Sequence, residues 1–504
     1  MSPINADTLR VIKMKVLGVW KEYKRSKMGM AGLYILLFFI FIALFAPYIA
    51  PYDPALRLTS KVSADFIPPS WARPLNPHPL DRMQVLADPN FTRSDSWSFS
   101  SEPQYAKYVT GAYDPTVTAI GNPGGSFKVT FIDNSTTIAL GYENATPVAY
   151  VETKFNWSFP VPPPEIKIVL YMRVDAVNLS VSNLESYVQL IPPGEDKPVP
   201  TATGALTEIR IYPSLVSGIF AKVEPPIRSD IIKPVFNETG EITFRFRFSL
   251  KTFNPDPSVT GSLTVYVDSV QLITYETEFG LMGTSDFGGD VFSEFVYGAQ
   301  ISLIIGLLAT ALSLAIGVTI GLIAGYYSGL AGEIIMQLIN FMLILPGLPL
   351  LIVLAAVLGP SFTNLILVIG IVGWPGTAIL IRSQVLSERE KAYVEAARAA
   401  GASDLYIIFR HILPNVLPLV FVQLTGGVSG AILSESGLAF LGLSDPNITS
   451  WGKMLQLASQ TGAFSNGSWW YVLFPGLGIA ALSLSFVFIG TALDEVLNPK
   501  LRER

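Results

Sequence analysis

The chain has 504 residues and no cysteine. That excludes disulfides, iron–sulfur clusters and thiol catalysis. Its only histidines are His78 and His411, far apart in sequence, so no His-x-x-x-His metal pair exists. No Gly-x-x-x-x-Gly-Lys-Ser/Thr phosphate loop occurs; the chain cannot hold ATP by that means, and ATP-driven work needs a partner. Charge is scarce too. Asp, Glu, Lys and Arg make up 14% of residues, against about 25% in soluble domains. The net charge of −5 gives no electrostatic footprint for nucleic acid. No nucleophile–base pair or carboxylate dyad stands out. What the chain has in abundance is apolar residue: 50% of the total, with a mean hydropathy of +0.44 and several runs near 20 residues. The composition is that of an integral membrane protein.

Residues 1–27 are basic, with Arg10, Lys13, Lys15, Lys21, Lys24, Arg25 and Lys27 against Asp7 and Glu22. The apolar run that follows, residues 28–50, is long for a signal peptide, and Pro47, Tyr48 and Pro51 make a poor cleavage site. It reads as a retained first transmembrane helix with a cytoplasmic N-terminus. Residues 51–280 change character: short alternating runs are separated by Pro, Gly, Asn and Asp. Strands are expected at Ser126–Ile132, Ala149–Phe155, Ile166–Val174, Glu208–Tyr212, Glu241–Leu250 and Ser262–Tyr275. Phe244-Arg-Phe-Arg-Phe248 carries the period of two of a strand buried on one face. The pattern implies an all-β sandwich, and the run Leu263–Leu272 resembles the closing strand of jelly-roll domains of the carbohydrate-binding-module type. From Tyr297 the chain is apolar again, with helices expected at about 297–326, 333–358, 363–384, 414–439 and 470–493 and a break at Pro346 and Pro349.

The fold class is therefore a mainly α-helical polytopic membrane protein with six transmembrane helices and an inserted all-β exterior domain. Both termini fall in the cytoplasm of a cell membrane. Two signals bear on that topology. Arg389, Lys391, Arg398, Arg410, Lys500, Arg502 and Arg504 lie in segments assigned to the cytoplasm. Asn-x-Ser/Thr sequons at Asn90, Asn134, Asn144, Asn156, Asn178, Asn237, Asn447 and Asn466 all lie in segments assigned outside, which makes them candidate glycosylation sites.

The central polar loop, 387–414, carries the most specific pattern. Ser387-Glu-Arg-Glu390 reads as a capping box opening a helix. Tyr393, Ala396, Ala397 and Ala400 share one small-residue face. Gly401 ends the helix, and Ser403 or Asp404 caps the next one. Glu395-Ala-Ala, then three residues, Gly401, nine residues and His411-Ile-Leu413-Pro414 resemble the EAA loop of permease subunits of ABC importers, whose last block is Ile-x-Leu-Pro, with His411 at the Ile position. Gly283-Thr-Ser-Asp-Phe-Gly-Gly-Asp290 with Tyr297-Gly298 and Ser302 is similar to the Gly-Thr-Asp-x-x-Gly-Arg-Asp…Tyr-Gly-x-Arg-x-Ser-Leu segment of C-type subunits of the dipeptide/oligopeptide/nickel permease family; Ser285, Gly289, Glu294 and Gln300 depart from it. Glu435–Leu443, Ser450–Leu455 and Leu497-Asn-Pro499 follow the same pattern, with departures at Thr491 and Asp494. The likeness covers 1–80 and 281–504. Where the family runs from His-Pro-Leu directly into Gly-Thr-Asp, about 200 residues separate His78-Pro-Leu80 from Gly283, an insertion that loop-closure entropy tolerates.

The resemblance implies a transport subunit without a catalytic site, cofactor or metal of its own. It implies pairing with a B-type permease subunit and docking of two ATPase subunits, which bind ATP and Mg. It further implies an exterior substrate-binding protein and surrounding lipid. The coupling residues carried over are Glu395, Ala396, Ala397, Arg398, Gly401, Ala402, Ser403, Leu413 and Pro414. Candidate path residues, polar within apolar spans, are Gln337, Asn340, Gln423, Ser434 and Glu435. Glu435, nearest an exterior helix end, is also compatible with a place in water. Di- and oligopeptides are the first substrate class and oligosaccharides the second. A membrane-anchored exterior glycan-binding or envelope protein is the alternative of another class, and a membrane enzyme acting on envelope glycans a further one.

Overall fold

A computed structural model describes residues 18, 20–54, 61–119, 122, 124–133, 147–179, 184–213, 218–250, 261–327 and 329–497. The chain divides into two compact units, Met1–Pro69 with Gly280–Arg504, and Ser70–Phe279.

The first unit is helical. Helix α1 (Lys27–Leu44) starts at Ser26, whose hydroxyl accepts the Gly29 N–H at 3.2 Å. Helix α2 (Val291–Tyr326) starts at Asp290, whose carboxylate accepts both the N–H (3.0 Å) and the hydroxyl (2.6 Å) of Ser293. Helices α3 (Leu330–Ile344) and α4 (Gly347–Leu358) meet at an 88° bend. Pro346 explains it: proline has no N–H to continue α3 and pushes Leu345 into extended backbone (ψ 132°). Pro349 lies in the first turn of α4, where no intrahelical donor is lost. Then come α5 (Phe362–Arg389), α6 (Ala392–Ala399), α7 (Asp404–Ile407), a π-helical turn at Ile408–Ile412, α8 (Leu413–Phe440), α9 (Trp451–Gln460) and α10 (Trp469–Leu497). Five stretches are long and apolar enough to cross a membrane, and the α3–α4 pair makes a sixth if it counts as one broken span.

Glycine decides how closely these helices pack. A Cβ on Gly317, Gly321 or Gly325 of α2 would stand 2.7–2.8 Å from the side chains of Thr377, Ile381 and Val385 on α5. Spaced by four residues, they form one stripe along which the two backbones approach. Trp451, at the start of α9, is fully buried and wedged between α1, α2 and α10. Its indole N–H donates to the Phe295 carbonyl at 2.9 Å, and its ring lies 5.3 Å from Phe295 and 5.4 Å from Phe39. No expectation covered α9, because its buried face (Trp451, Met454, Ala458) falls between long apolar runs that dominate the pattern.

The second unit is a two-sheet antiparallel sandwich. Its strands are β1 (Met83–Gln84), β2 (Ser98–Ser101), β3 (Val109–Asp114), β4 (Ser126–Asp133), β5 (Val148–Trp157), β6 (Ile166–Val177), β7 (Leu184–Ile191), β8 (Glu208–Ile211), β9 (Ala221–Val223), β10 (Gly240–Leu250) and β11 (Gly261–Thr274). One sheet runs β3-β4-β11-β6-β9, with β1 on β11; the other runs β2-β5-β10-β7-β8. Phe244, Phe246 and Phe248 are all fully buried, while Arg245 and Arg247 between them face outward, as the alternation requires. Trp97 stacks between Phe91 (4.8 Å) and Phe246 (5.9 Å) in the core. On β11 the register shifts between Asp268 and Gln271, a bulge with Ser269 at φ +48°. The bulge buries Asp268, whose carboxylate accepts from Ala119 N–H and Asn122 Nδ2 and so ties down the loop before β4. A two-turn helix, Ser229–Phe236, buries Ile231, Ile232, Val235 and Phe236 against the same core.

Candidate functional site

The loop 387–414 is built as an elbow fixed on its inner side and open on its outer side. The expected capping box is not used. Helix α5 continues through Ser387 to Arg389, and α6 begins at Ala392 after two intervening residues. The reason is Glu388, 3% exposed. Its carboxylate accepts from Lys391 Nζ (2.5 Å), the Tyr393 hydroxyl (2.6 Å) and Gln384 Nε2 (3.2 Å), so it locks the corner between two helices instead of capping one. Asn415 Nδ2 donates to the same Tyr393 hydroxyl at 3.0 Å and to the His411 carbonyl at 2.7 Å. Burial and the Glu388 carboxylate push the Tyr393 hydroxyl up to about 12.

The turn after α6 is a complete Schellman motif. Gly401, at φ +79°, donates its N–H to the Arg398 carbonyl (3.0 Å), and Ala402 donates to Ala397 (3.1 Å). Ser403 occupies the N-cap position of α7, but its side chain makes no capping bond. Asp404 instead accepts the Tyr326 hydroxyl at 2.6 Å. The expected start of the fifth helix at 414 is also corrected. The helical path begins at Asp404 and reaches α8 through the π turn Ile408–Ile412. Pro414 accounts for the π turn, since it offers no N–H to the carbonyl four residues back.

Three contacts bind the elbow to the end of α2. Arg389 Nη1 lies 3.3 and 3.4 Å from the carbonyls of Gly325 and Tyr326, the Tyr326 hydroxyl meets Asp404, and the Arg398 guanidinium sits 5.9 Å above the Tyr326 ring. Beneath it, Val394, Ile407, Ile408, Ile412 and Val416 are buried with Leu322, Ile381 and Val385. Glu395, Ala396, Arg398, Gly401, Ser403 and Pro414 are exposed, and Ala397, Ala402 and Leu413 half-buried. Leu405 (64% exposed), Tyr406 (54%) and Phe409 (62%) continue that outer surface. Glu388, Tyr393, Asn415 and Tyr326, which hold the corner, were not singled out as anchors from the sequence. A signal exists in retrospect: Glu388 and Tyr393 are polar residues directly flanking the motif.

The candidate path residues do not converge. Gln337 is exposed on α3, Asn340 half-buried, and Gln423 and Ser434 half-buried on α8; none of the four makes a side-chain hydrogen bond among the described residues. Glu435 is fully buried, which rules out a place in water within this chain. The Ser436 hydroxyl donates to its Oε2 at 3.3 Å, the Ser302 and Ser450 hydroxyls lie beside it, and Oε1 has no partner among the described residues. Of the sequons, Asn156, Asn178, Asn237, Asn447 and Asn466 are exposed and Asn90 half-buried. Asn134 and Asn144, like Lys500, Arg502 and Arg504, lie outside the described residues.

Comparison with known proteins bears on the helical unit. Residues 317–503 match the family model "Binding-protein-dependent transport system inner membrane component", and residues 18–69 match "N-terminal TM domain of oligopeptide transport permease C". The dipeptide transport system permease protein DppC of Alkalihalophilus pseudofirmus is 43% identical over 221 residues, 44% of this chain and 72% of that protein. DppC of Escherichia coli K12 is 44% identical over 224 residues, 44% of this chain and 74% of that protein. A solved inward-facing form of the MetNI methionine ABC transporter aligns with 41% of this chain and 95% of its own at 16% identity and a TM-score of 0.34, too low to carry an argument. With relatives above 40% identity spanned over more than 70% of their length, the chain belongs to the binding-protein-dependent transport permeases, in the branch of the dipeptide and oligopeptide C-type subunits.

Proposed function

We propose that this chain forms half of the translocation path of an ATP-driven importer of di- and oligopeptides and is driven through the elbow at 387–414. The observation that carries the reading is the construction of that elbow. Its outer surface (Ala396, Ala400, Leu405, Tyr406, Phe409) is exposed, while the inner side is locked by Glu388, Arg389 and Asp404. Small side chains let another backbone come close, and a rigid mount passes on displacement instead of absorbing it. A push there reaches α2 through Gly325 and Tyr326, and α8 through the π turn, so the helices rock as bodies between two access states.

In this reading a B-type permease completes the path, two ATPases with ATP and Mg dock on the paired elbows, and an exterior binding protein delivers the peptide. The termini are cytoplasmic, and the β unit stands outside, where the exposed sequons are open to glycosylation. Glu395 and Arg398 supply polar contacts at the dock. The test is substrate-stimulated ATPase activity of the reconstituted complex. Glu395→Lys is expected to lower it about fivefold, the scale of one lost polar contact of roughly 1 kcal/mol. Gly401→Pro, which removes both the N–H and the positive φ of the Schellman turn, is expected to lower it further. Membrane insertion should be unaffected in both. Normal coupling in the two variants, or uptake of oligosaccharides and not peptides in a substrate panel, would refute the corresponding part of the reading.

A further inference from the structure

The outer face of the β2-β5-β10-β7-β8 sheet carries two adjacent rows of side chains that differ in one respect. In the first row, Glu152, Arg245, Gln189 and Glu208 stand directly opposite one another across β5, β10, β7 and β8. The charges of this row are paired within it: Arg245 Nε donates to Glu152 at 2.5 Å, and Gln189 Nε2 to Glu208 at 3.1 Å. In the second row, Tyr150, Arg247, Tyr187 and Arg210 occupy the same four strands. Its two guanidiniums converge on one ring, Arg247 at 5.6 Å and Arg210 at 5.9 Å from Tyr187, and Arg210 is also 5.4 Å from Tyr212.

Neither of these arginines has an ion-pair partner among the described residues. Elsewhere in the unit Arg73, Arg173, Arg228 and Arg245 each hold a carboxylate. Sheet stability alone would favour the acid–base pairing of the neighbouring row, since like charges gathered around one ring repel. Packing against a ring occupies the face of a guanidinium and leaves its in-plane N–H fork free for a planar anion.

We propose that this row is a binding site for acidic peptides, with Arg247 and Arg210 each receiving a carboxylate and Tyr187 as the floor between them. The two arginines lie two strands apart, roughly 10 Å at the backbone, which a peptide in the polyproline II conformation spans with three residues, one turn that returns side chains i and i+3 to the same face. The ligand class is therefore a short peptide with carboxylates at positions i and i+3, the second being either a side chain or the C-terminus. Peptide is chosen over other polyanions on the strength of the transport reading above, and the two can fail separately.

The test uses the full-length chain in lipid nanodiscs. A fluorescein-labelled Glu-Ala-Ala-Glu-Ala amide is titrated by fluorescence anisotropy, alongside Gln-Ala-Ala-Gln with a free C-terminus and Gln-Ala-Ala-Gln amide. Arg210→Gln with Arg247→Gln is expected to weaken binding of the acidic peptide about tenfold or more, with smaller losses for each alone. Arg173→Gln, on the other sheet, is expected to leave it unchanged. Binding should fall with added salt, and an unchanged melting temperature shows that the double variant is folded. The free-acid arm tells a terminal carboxylate from a side-chain one, since retained binding there assigns one fork to the C-terminus. No binding of the acidic peptide to the unsubstituted chain, equal binding by the double variant, or tighter binding of an oligogalacturonate than of the peptide would each overturn the proposal. ATP-driven uptake of a neutral dipeptide by the unsubstituted reconstituted complex is measured in parallel. Absence of that uptake would refute the transport reading and not the site.

Discussion

The glycine stripe between α2 and α5 offers a test in which two substitutions of the same chemistry should act differently, one destabilising and the other not. A Cβ at Gly321 would lie 2.7 Å from Ile381 Cβ and 2.8 Å from the Ala378 carbonyl oxygen. Carbon contacts are most favourable at about 3.5–4.0 Å, so the crossing must open by roughly 0.8 Å. A backbone oxygen and a Cβ cannot rotate away. Gly317 and Gly325 share the stripe, so their contacts with Thr377 and Val385 loosen as well. Such overpacking costs about 1–3 kcal/mol, and the better helix propensity of alanine returns up to about 1 kcal/mol. Gly321→Ala is thus expected to lower stability by about 1–2 kcal/mol, and Gly321→Leu by more. Gly376, inside α5, has no heavy atom within 4 Å of its would-be Cβ. Gly376→Ala should be neutral or stabilising. The assay is thermal unfolding of the detergent-solubilised chain followed by size-exclusion chromatography, where each kcal/mol moves the midpoint by roughly 2–4 °C. Equal midpoints for Gly321→Ala and the unsubstituted chain, or an equal fall for Gly376→Ala, would refute the argument that close backbone approach sets this crossing.

Three further outcomes are expected. Tyr393→Phe removes the hydroxyl bonded to Glu388 (2.6 Å) and Asn415 (3.0 Å), which should cost about 1–3 kcal/mol in thermal unfolding and weaken ATPase coupling. Because the folded hydroxyl is raised from 10.0 to about 12, its contribution is complete below pH 10 and disappears as pH rises to about 12; a melt series against pH reads this directly. Asp88 in the β unit accepts Thr92 N–H and hydroxyl (both 2.9 Å), Arg93 N–H (3.0 Å) and the Ser96 hydroxyl (2.5 Å). Burial pushes its carboxyl up, but these bonds outweigh burial and hold it below the ordinary carboxylate range. Its contribution is present above the unfolded value and lost as pH falls through the folded one, and Asp88→Asn should abolish that acid loss in hydrogen exchange of the 88–97 turn. Trp451→Ala should cost about 3–5 kcal/mol, read as a lowered midpoint, because it empties the wedge between α1, α2 and α10.

Much of the architecture was legible in the residue order because the controlling physics is local. Period-two alternation located β10 within one residue at its start, and β4, β5, β6 and β11 within a few. Pro346 announced the break between α3 and α4, and Gly401 the end of α6, since each acts through its own φ and N–H. Strands β1, β2, β3, β7 and β9 are not among the expected ones. Their burial depends on which neighbours they pair with, as with β7 between β10 and β8, and not on their own alternation alone. The capping box at Ser387 failed for a related reason. Its local signal was overridden by Glu388, whose carboxylate is claimed by Lys391 and Tyr393 across the corner.

The sequence by itself determined the apolar spans, the alternation of the β strands, the family motif around Glu395 and Gly401, and the lack of any nucleotide loop. Each depends on residue type and spacing, properties that survive without a fold. Only the tertiary structure decided that Glu435 is buried, that Gly317, Gly321 and Gly325 form a helix crossing, that the elbow is locked to α2 through Tyr326, and that Arg247 and Arg210 meet on one tyrosine. These are relations between residues from different elements, and no local rule of spacing encodes which elements come together.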